Sequence, residues 1–489
     1  MTAFLVADPE KGFAERLPEV SPPDSEPTQR ALLARGFYNF GEWLRRRQSL
    51  IQRVQWAIVL IYIALVATPA FLPLPGRMAH IWDNLTLFAQ FAFWGLWWPF
   101  VLLSMILVGR AWCGLFCPEG ALSETTSRFG RGYAVPRWIT WKGWPFVAFV
   151  CTTIYGQMVS VYQYPKPALL ILGGSTAGAI VVGYLYGRNK RVWCRYLCPV
   201  NGVFGLLAKL APVHFSVDQD AWTASRLSGH AHAPPINCAP LVPIRTMRGA
   251  SDCHMCGRCS SFRGAISLAP RSPDHEIVHV AGSTPKPAET LLIVFGLLGV
   301  AAGAFHWSVS PWYVAIKQAI AEQLIDMGIV WPMQLQPPWW ILTDYPEVND
   351  QLTLLDGAVL LAYIVATAAV IGTAVSICLW AAARSLGPWS STRFHHLAQS
   401  LIPIAACGVF LGLSATTVTM LRAEGLPIGF VGLLRGALLA GAALWSVWLG
   451  WRIAGLSTLT SIRRSAATAC VAAAASIGVG SWVLFFWIW

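Results

Sequence analysis

Long apolar blocks, each about 20 residues and nearly free of charge, constrain this chain most. Each is long enough to cross a bilayer core of roughly 30 Å as a helix. Nine stand out: Val54 to Leu72, Leu85 to Val108, Trp144 to Val161, Leu169 to Tyr186, Leu291 to Trp307, Leu354 to Ala382, Leu397 to Leu421, Ile428 to Trp451 and Ala466 to Trp489. Only 12% of the 489 residues are charged, against about a quarter in soluble domains. The expectation is an all-α polytopic membrane protein with about nine transmembrane helices.

Loop charge sets the orientation, because Lys and Arg concentrate on the cytoplasmic side. Residues before the first block are polar, rich in Pro and Glu, and end in Arg45, Arg46 and Arg47, unlike a cleaved signal peptide. Arg128, Arg131, Arg137 and Lys142 follow the second block; Arg188, Lys190 and Arg191 the fourth; Arg384 and Arg393 the sixth; Arg463 and Arg464 the eighth. A multi-pass protein of the bacterial inner membrane is expected, with its amino terminus cytoplasmic and its carboxyl terminus periplasmic. The net charge of +12 is spread along membrane borders rather than over one face, so it predicts topology and no nucleic-acid partner.

The chain divides into a cytoplasmic tail (1–50), a four-helix membrane unit (51–210), a small cytoplasmic insert (211–290) and a five-helix membrane unit (291–489). The last carries a periplasmic segment, 308–350, rich in Trp and acidic residues, for which a helix from Pro311 to Met327 and a Pro-rich return are expected. Lying at the membrane interface is its simple reading; docking a basic periplasmic protein is the functional one. Within the four-helix unit, Gly109, Arg110, Trp112, Cys113, Cys117 and Pro118 recur as Gly187, Arg188, Trp193, Cys194, Cys198 and Pro199. Two such hairpins related by a pseudo-two-fold would bring four cysteines together.

In the insert, Cys253, Cys256 and Cys259 form Cys-x-x-Cys-x-x-Cys, which places three thiolates about one small volume, as a 4Fe-4S cluster requires. Arg263 stands where a bacterial ferredoxin run would carry its fourth cysteine. Cys238 is the remaining cysteine of the insert and the expected fourth ligand; tetrahedral zinc is the structural alternative. Disulfides are not expected in a reducing compartment. For Cys113, Cys117, Cys194 and Cys198 three readings stay open: a second cluster, a Cu(I) site, or paired redox thiols. Cys151, Cys378, Cys407 and Cys470 lie singly in apolar blocks and read as small buried hydrophobes.

On Trp112 to Gly120, Trp193 to Gly202 and the downstream cysteines, residues 50 to 285 resemble the NapH and NosR type of polytopic membrane ferredoxin, a group that includes the CcoG accessory proteins. The resemblance implies a membrane electron carrier, quinol dehydrogenase-like, taking electrons from the quinone pool towards a respiratory reductase or its maturation. It implies that Cys113, Cys117, Cys194 and Cys198 correspond to the group's paired Cys-Pro motifs. The insert has cysteines for one cluster where the group has two, and the last five helices have no counterpart in the short members.

Arg435 lies inside the eighth block, where a charge needs a partner. Asp356 is at a similar depth and is the expected ion-pair partner; a quinone oxygen or haem propionate is the alternative. His395, His396 and His306 show no pairing of two axial ligands at one depth, so haem is not expected, and the first two read as interfacial anchors. His254, inside the cluster motif, could tune a potential by hydrogen bonding. The leading expectation is an iron-sulfur electron-transfer protein linking the quinone pool, or a periplasmic cytochrome, to a redox partner. A copper-handling assembly factor and a transporter with a regulatory cluster are its rivals.

Overall fold

The computed structural model describes residues 29–76, 78–227 and 236–489. The Pro- and Glu-rich start of the tail, 1–28, where the signal-peptide reading falls, lies outside the described residues. α1 is Gln29–Arg46. Among the described residues, eight helices are long and apolar enough to cross a membrane: α2 Gln48–Phe71, α3 Leu85–Val108, α6 Pro165–Tyr186, α8 Pro287–His306, α10 Leu354–Ser385, α12 Ile402–Ala423, α13 Val431–Ser457 and α14 Ser461–Ile488. In lipid each backbone N–H must find its carbonyl within the segment, which leaves helix as the form for such blocks. α4 is Pro118–Arg128 and α5 is Trp144–Met158. α7 is Asn201–Ala208, α9 Pro311–Asp326 and α11 Ser391–Gln399.

The third expected span is thus the 15-residue α5, shorter than the other spans. It still runs between the two ends of the bundle. Pro145, in its first turn, packs at Gly202 near the Cys-Pro motifs. The carbonyl of Met158, its last residue, accepts a 2.9 Å hydrogen bond from the Thr343 N–H in the opposite connecting segment.

One buried core joins both membrane units. Leu102 and Met105 of α3 and Phe204 of α7 pack in the same cluster as Leu297 of α8, Ile404 of α12 and Trp482 of α14. A further tie is the Thr417 hydroxyl, which donates to the Gly95 carbonyl at 2.6 Å.

The insert is built on an antiparallel ribbon, β1 Val213–Val217 with β2 Ile266–Pro270, in a register that places Phe215 opposite Leu268. α1 is not a loose tail: Leu44 packs with Phe215, Ile266, Leu268 and Met255 in one small core. At the other end of the bundle, α9 starts at Pro311 with the Ser310 hydroxyl capping the Tyr313 N–H, as the sequence predicts. A short ribbon, β3 Asp344–Tyr345 with β4 Asp350–Gln351, closes the Pro-rich return.

The expected Asp356–Arg435 ion pair does not form. Asp356 is the third residue of α10 and closes a capping box with Thr353, whose N–H it accepts at 2.9 Å. Its charge is met by Lys317 of α9 at 3.0 Å. Arg435 instead lies over the Phe486 ring, 4.0 Å from its centroid, its Nε without a partner among the described residues. The carboxylate is taken locally, by its own helix start and the neighbouring α9, before a distant helix can compete. His395 and His396 tie α11 down, the first to the Thr290 hydroxyl and the second to the Ile277 carbonyl, each at 2.9 Å.

Candidate metal centre

Each Cys-Pro motif folds as one tight turn followed by a new helix. Phe116 and Cys117 both donate to the Trp112 carbonyl, at 2.9 Å each, and Leu197 and Cys198 repeat this on Trp193 at 2.9 and 3.0 Å. In the first copy the proline begins α4 rather than ending a helix. Cys117 is the N-cap residue, with its sulfur accepting the Gly120 N–H at 3.5 Å, and Pro118 sits at the first position, where its missing N–H costs nothing.

The structure also corrects the register of the repeat. Arg110 stands at the N-cap position of the short helix carrying Trp112 and Cys113, and Arg191, not Arg188, at that of the one carrying Trp193 and Cys194. The signal was present as Arg-x-Trp-Cys in both copies, masked by the basic cluster around Arg188.

Cys113, Cys117, Cys194 and Cys198 all line one cavity of about 560 Å³, walled by Trp97, Trp98, Trp112 and Trp193. Cys238 lines a second, small pocket together with Cys253, Cys256 and Cys259. The loop carrying these three turns through left-handed backbone at Met255 (φ 54°) and Gly257 (φ 75°), and the Met255 N–H points at the Cys253 sulfur at 3.4 Å. Arg263 lies against the Phe262 and Trp222 rings, 5.5 and 5.4 Å from their centroids, and is not part of the pocket wall.

The two cysteine sets adjoin. His254, 2% exposed, borders both cavities, and its Nδ1 has no partner among the described residues. The backbone of Gly114, next to Cys113, lies directly against the His254 carbonyl. α2 holds both loops: the Gln55 amide donates to the Gly114 carbonyl at 2.9 Å and the Gln48 amide to the Cys256 carbonyl at 3.0 Å.

Buried cations surround the sulfurs. Arg191, 1% exposed, donates to the Cys113 carbonyl at 2.7 Å and pairs with Glu124 at 2.7 Å; Arg258 takes the other Glu124 oxygen at 2.7 Å. Burial alone would raise the Glu124 carboxyl, but the two guanidiniums hold it below its usual range. Arg110, 3% exposed, lines the cavity of the Cys-Pro cysteines, its Nε without a partner among the described residues. Sequence reasoning treats Arg191 as a topology charge and passes over Glu124, Arg258, Gln48 and Gln55.

Burial pushes the thiols of Cys194 and Cys253 up to about 12, which disfavours free thiolate chemistry, whereas a bound metal deprotonates a coordinating thiol outright. Four thiolates around an iron-sulfide core bring negative charge into a dry site, and buried arginines such as Arg191 and Arg110, the latter with an unused donor, are groups that offset it. Both cysteine sets therefore fit an iron-sulfur cluster. Cysteine sets of this kind, in a helical bundle of membrane-crossing length, define a polytopic membrane iron-sulfur protein.

Comparison with known proteins agrees. Residues 90–135 and 169–217 match the 4Fe-4S binding domain; they contain both Cys-Pro motifs, and the insert cysteines lie outside them. The chain is 26% identical over 236 residues to YccM of Escherichia coli, which is named for electron transport, with 42% of this chain and 64% of YccM covered. It is 26% identical to the regulatory protein NosR of Pseudomonas aeruginosa and 30% identical to the protein NirI of Paracoccus denitrificans. Those two alignments each cover 23% of this chain, with 18% of NosR and 19% of NirI. The chain thus spans less than two thirds of each of these relatives. No solved structure matches. The resemblance to membrane ferredoxins of the NosR type holds, and the chain carries a 4Fe-4S binding domain in a multi-pass membrane protein.

Proposed function

We propose that this chain carries electrons through two iron-sulfur clusters, one on Cys238, Cys253, Cys256 and Cys259 and the other on Cys113, Cys117, Cys194 and Cys198. The observation that carries this reading is the shared wall. One buried residue, His254, borders both cavities, and the two cysteine loops touch through Gly114. When bound, the clusters supply the one-electron chemistry. The chain's part is to fix their separation, exclude water with the tryptophan wall, and offset their charge with Arg110 and Arg191.

In this reading the insert is cytoplasmic. The membrane partner is the quinone pool, and a basic periplasmic cytochrome docking on the segment 308–350 is the second partner. The name of YccM supports electron transport as the activity.

Anaerobic purification with iron and sulfide counting tests it. About eight irons per chain, with spectra of two reduced clusters, are expected. Stoichiometric copper without iron, lost in a Cys113→Ser, Cys194→Ser variant, would replace this reading with a copper-handling one.

A further inference from the structure

The chain enters the Cys253 loop through Ala250 and Ser251, and buried charges hold both residues. From one side the Glu276 carboxylate, 2% exposed, accepts the Ala250 N–H at 2.7 Å and the Ser251 N–H at 3.4 Å. From the other, Arg110 donates to the Ser251 carbonyl at 3.1 Å and to Asn201 Oδ1 at 2.6 Å. The hold passes on to the cysteine, because the Ala250 carbonyl accepts the Cys253 N–H at 3.2 Å. Space is tight as well: a side chain at Gly249 would run into the Glu276 carboxylate.

Glu276 is itself fixed by a buried arginine. Arg271, which follows β2, donates to it at 2.6 Å. The rest of the Arg271 fork takes the carbonyls of Ala208 and Lys209, each at 3.1 Å, and of Ala211 at 2.8 Å. Those carbonyls close the end of α7, the helix that follows Cys198, where a cation also suits the negative end of the helix. The pair thus stands between the helix of the second Cys-Pro motif and the loop of the cysteine triple.

The same short segment rests on the five-helix unit. Asp274, two residues before Glu276, pairs with Arg452 of α13 at 3.0 Å, and the Ile277 carbonyl, one residue after it, meets His396 of α11. Ile277 and Val278 belong to one core with Leu449 and Ile453 of α13. Residues 274–278 therefore lie on α11 and α13 with one side and grip the Cys253 loop with the other.

We propose that Glu276 is a positioning residue for the insert cysteines, through which the five-helix unit holds the Cys253 loop in place. This rests on the two-cluster reading only for its electrochemical readout, and it gives the last five helices a part in that site. The pair also acts on the charge of the site. Reduction adds negative charge, so loss of the Glu276 charge favours the reduced form and loss of the Arg271 charge disfavours it.

The test uses the full chain in detergent, prepared without oxygen, with two readouts. Hydrogen exchange of residues 249–258, followed by mass spectrometry, reports on the loop whether or not iron is bound. Redox titration followed by electron paramagnetic resonance reports on the insert centre. In the double variant Glu276→Met, Arg271→Met, apolar side chains replace the whole pair and leave no buried charge unpaired. Exchange of the loop should then rise by about tenfold, the value of one hydrogen bond. Arg452→Gln, on α13, should raise exchange in the same residues by a smaller factor. Glu276→Gln should move the midpoint potential up and Arg271→Gln should move it down, an opposed pair that a role in folding alone does not produce. Native exchange in the double variant, native exchange in Arg452→Gln, or potentials that stay put or move the same way in the two Gln variants would each overturn the proposal. An iron-free native chain showing the expected exchange would instead count against the two-cluster reading.

Discussion

The carbonyl oxygen of His254 lies against the α-carbon of Gly114 so closely that no side chain fits between the two cysteine loops. Gly114→Val should therefore force the loops apart. Overpacking of this kind costs about 1–3 kcal/mol, and here it also shifts Cys113. The expected result is a chain that still inserts and purifies but loses iron and shows weaker magnetic coupling between reduced centres, measured by iron counting and electron paramagnetic resonance.

Cys238 shares a pocket with Cys253, Cys256 and Cys259, whereas Arg263 lies against the Trp222 ring. Cys238→Ser should remove about half of the iron, one of two clusters. Arg263→Ala should leave the iron count at the native value. Equal iron in both variants would show that Cys238 is not a ligand.

Glu124 is the hub between Arg191 and Arg258. Glu124→Gln leaves Arg191 buried and unpaired, a loss of about 3–5 kcal/mol, visible as a lower melting temperature in detergent. Adding Arg191→Met to that background should restore part of it. Because the Glu124 carboxyl is held below its usual range, its contribution is fully present above the unfolded carboxylate pKa of about 4.3 and is lost as pH falls through the lower folded value. The acid limb of the stability curve should be shallower in Glu124→Gln.

With Asp356 paired to Lys317 and Arg435 resting on Phe486, the two residues are energetically independent. In a double-mutant cycle, Asp356→Asn and Arg435→Met should add to within about 0.5 kcal/mol. Coupling above about 1 kcal/mol would restore the direct pair.

Glu322, Asp326 and Glu347 are exposed at the end remote from the cysteines, while Asp350 is engaged by the Tyr164 hydroxyl at 2.6 Å. If a basic cytochrome docks there, neutralising the three exposed residues should slow association and flatten its salt dependence. Stopped-flow rates at two ionic strengths that match the native chain would remove the docking surface.

The sequence by itself determined the membrane-crossing helices, the duplicated Cys-Pro turns and the choice of Cys238 as companion to the cysteine triple. Each of these is a pattern local to the chain: block length fixes a span, and spacing fixes which sulfurs a loop presents. The short α5 stretched that rule, since only its contacts at Gly202 and Thr343 reveal its path. Tertiary structure alone decided the pairings. Which carboxylate meets Arg191 or Lys317, that Gln48 and Gln55 of one helix hold both cysteine loops, and that His254 borders both cysteine pockets all depend on which helices are neighbours. Hydropathy makes every span alike to its neighbours, so it carries no record of that choice. The buried charges record it, because each must find a partner where the packing puts one.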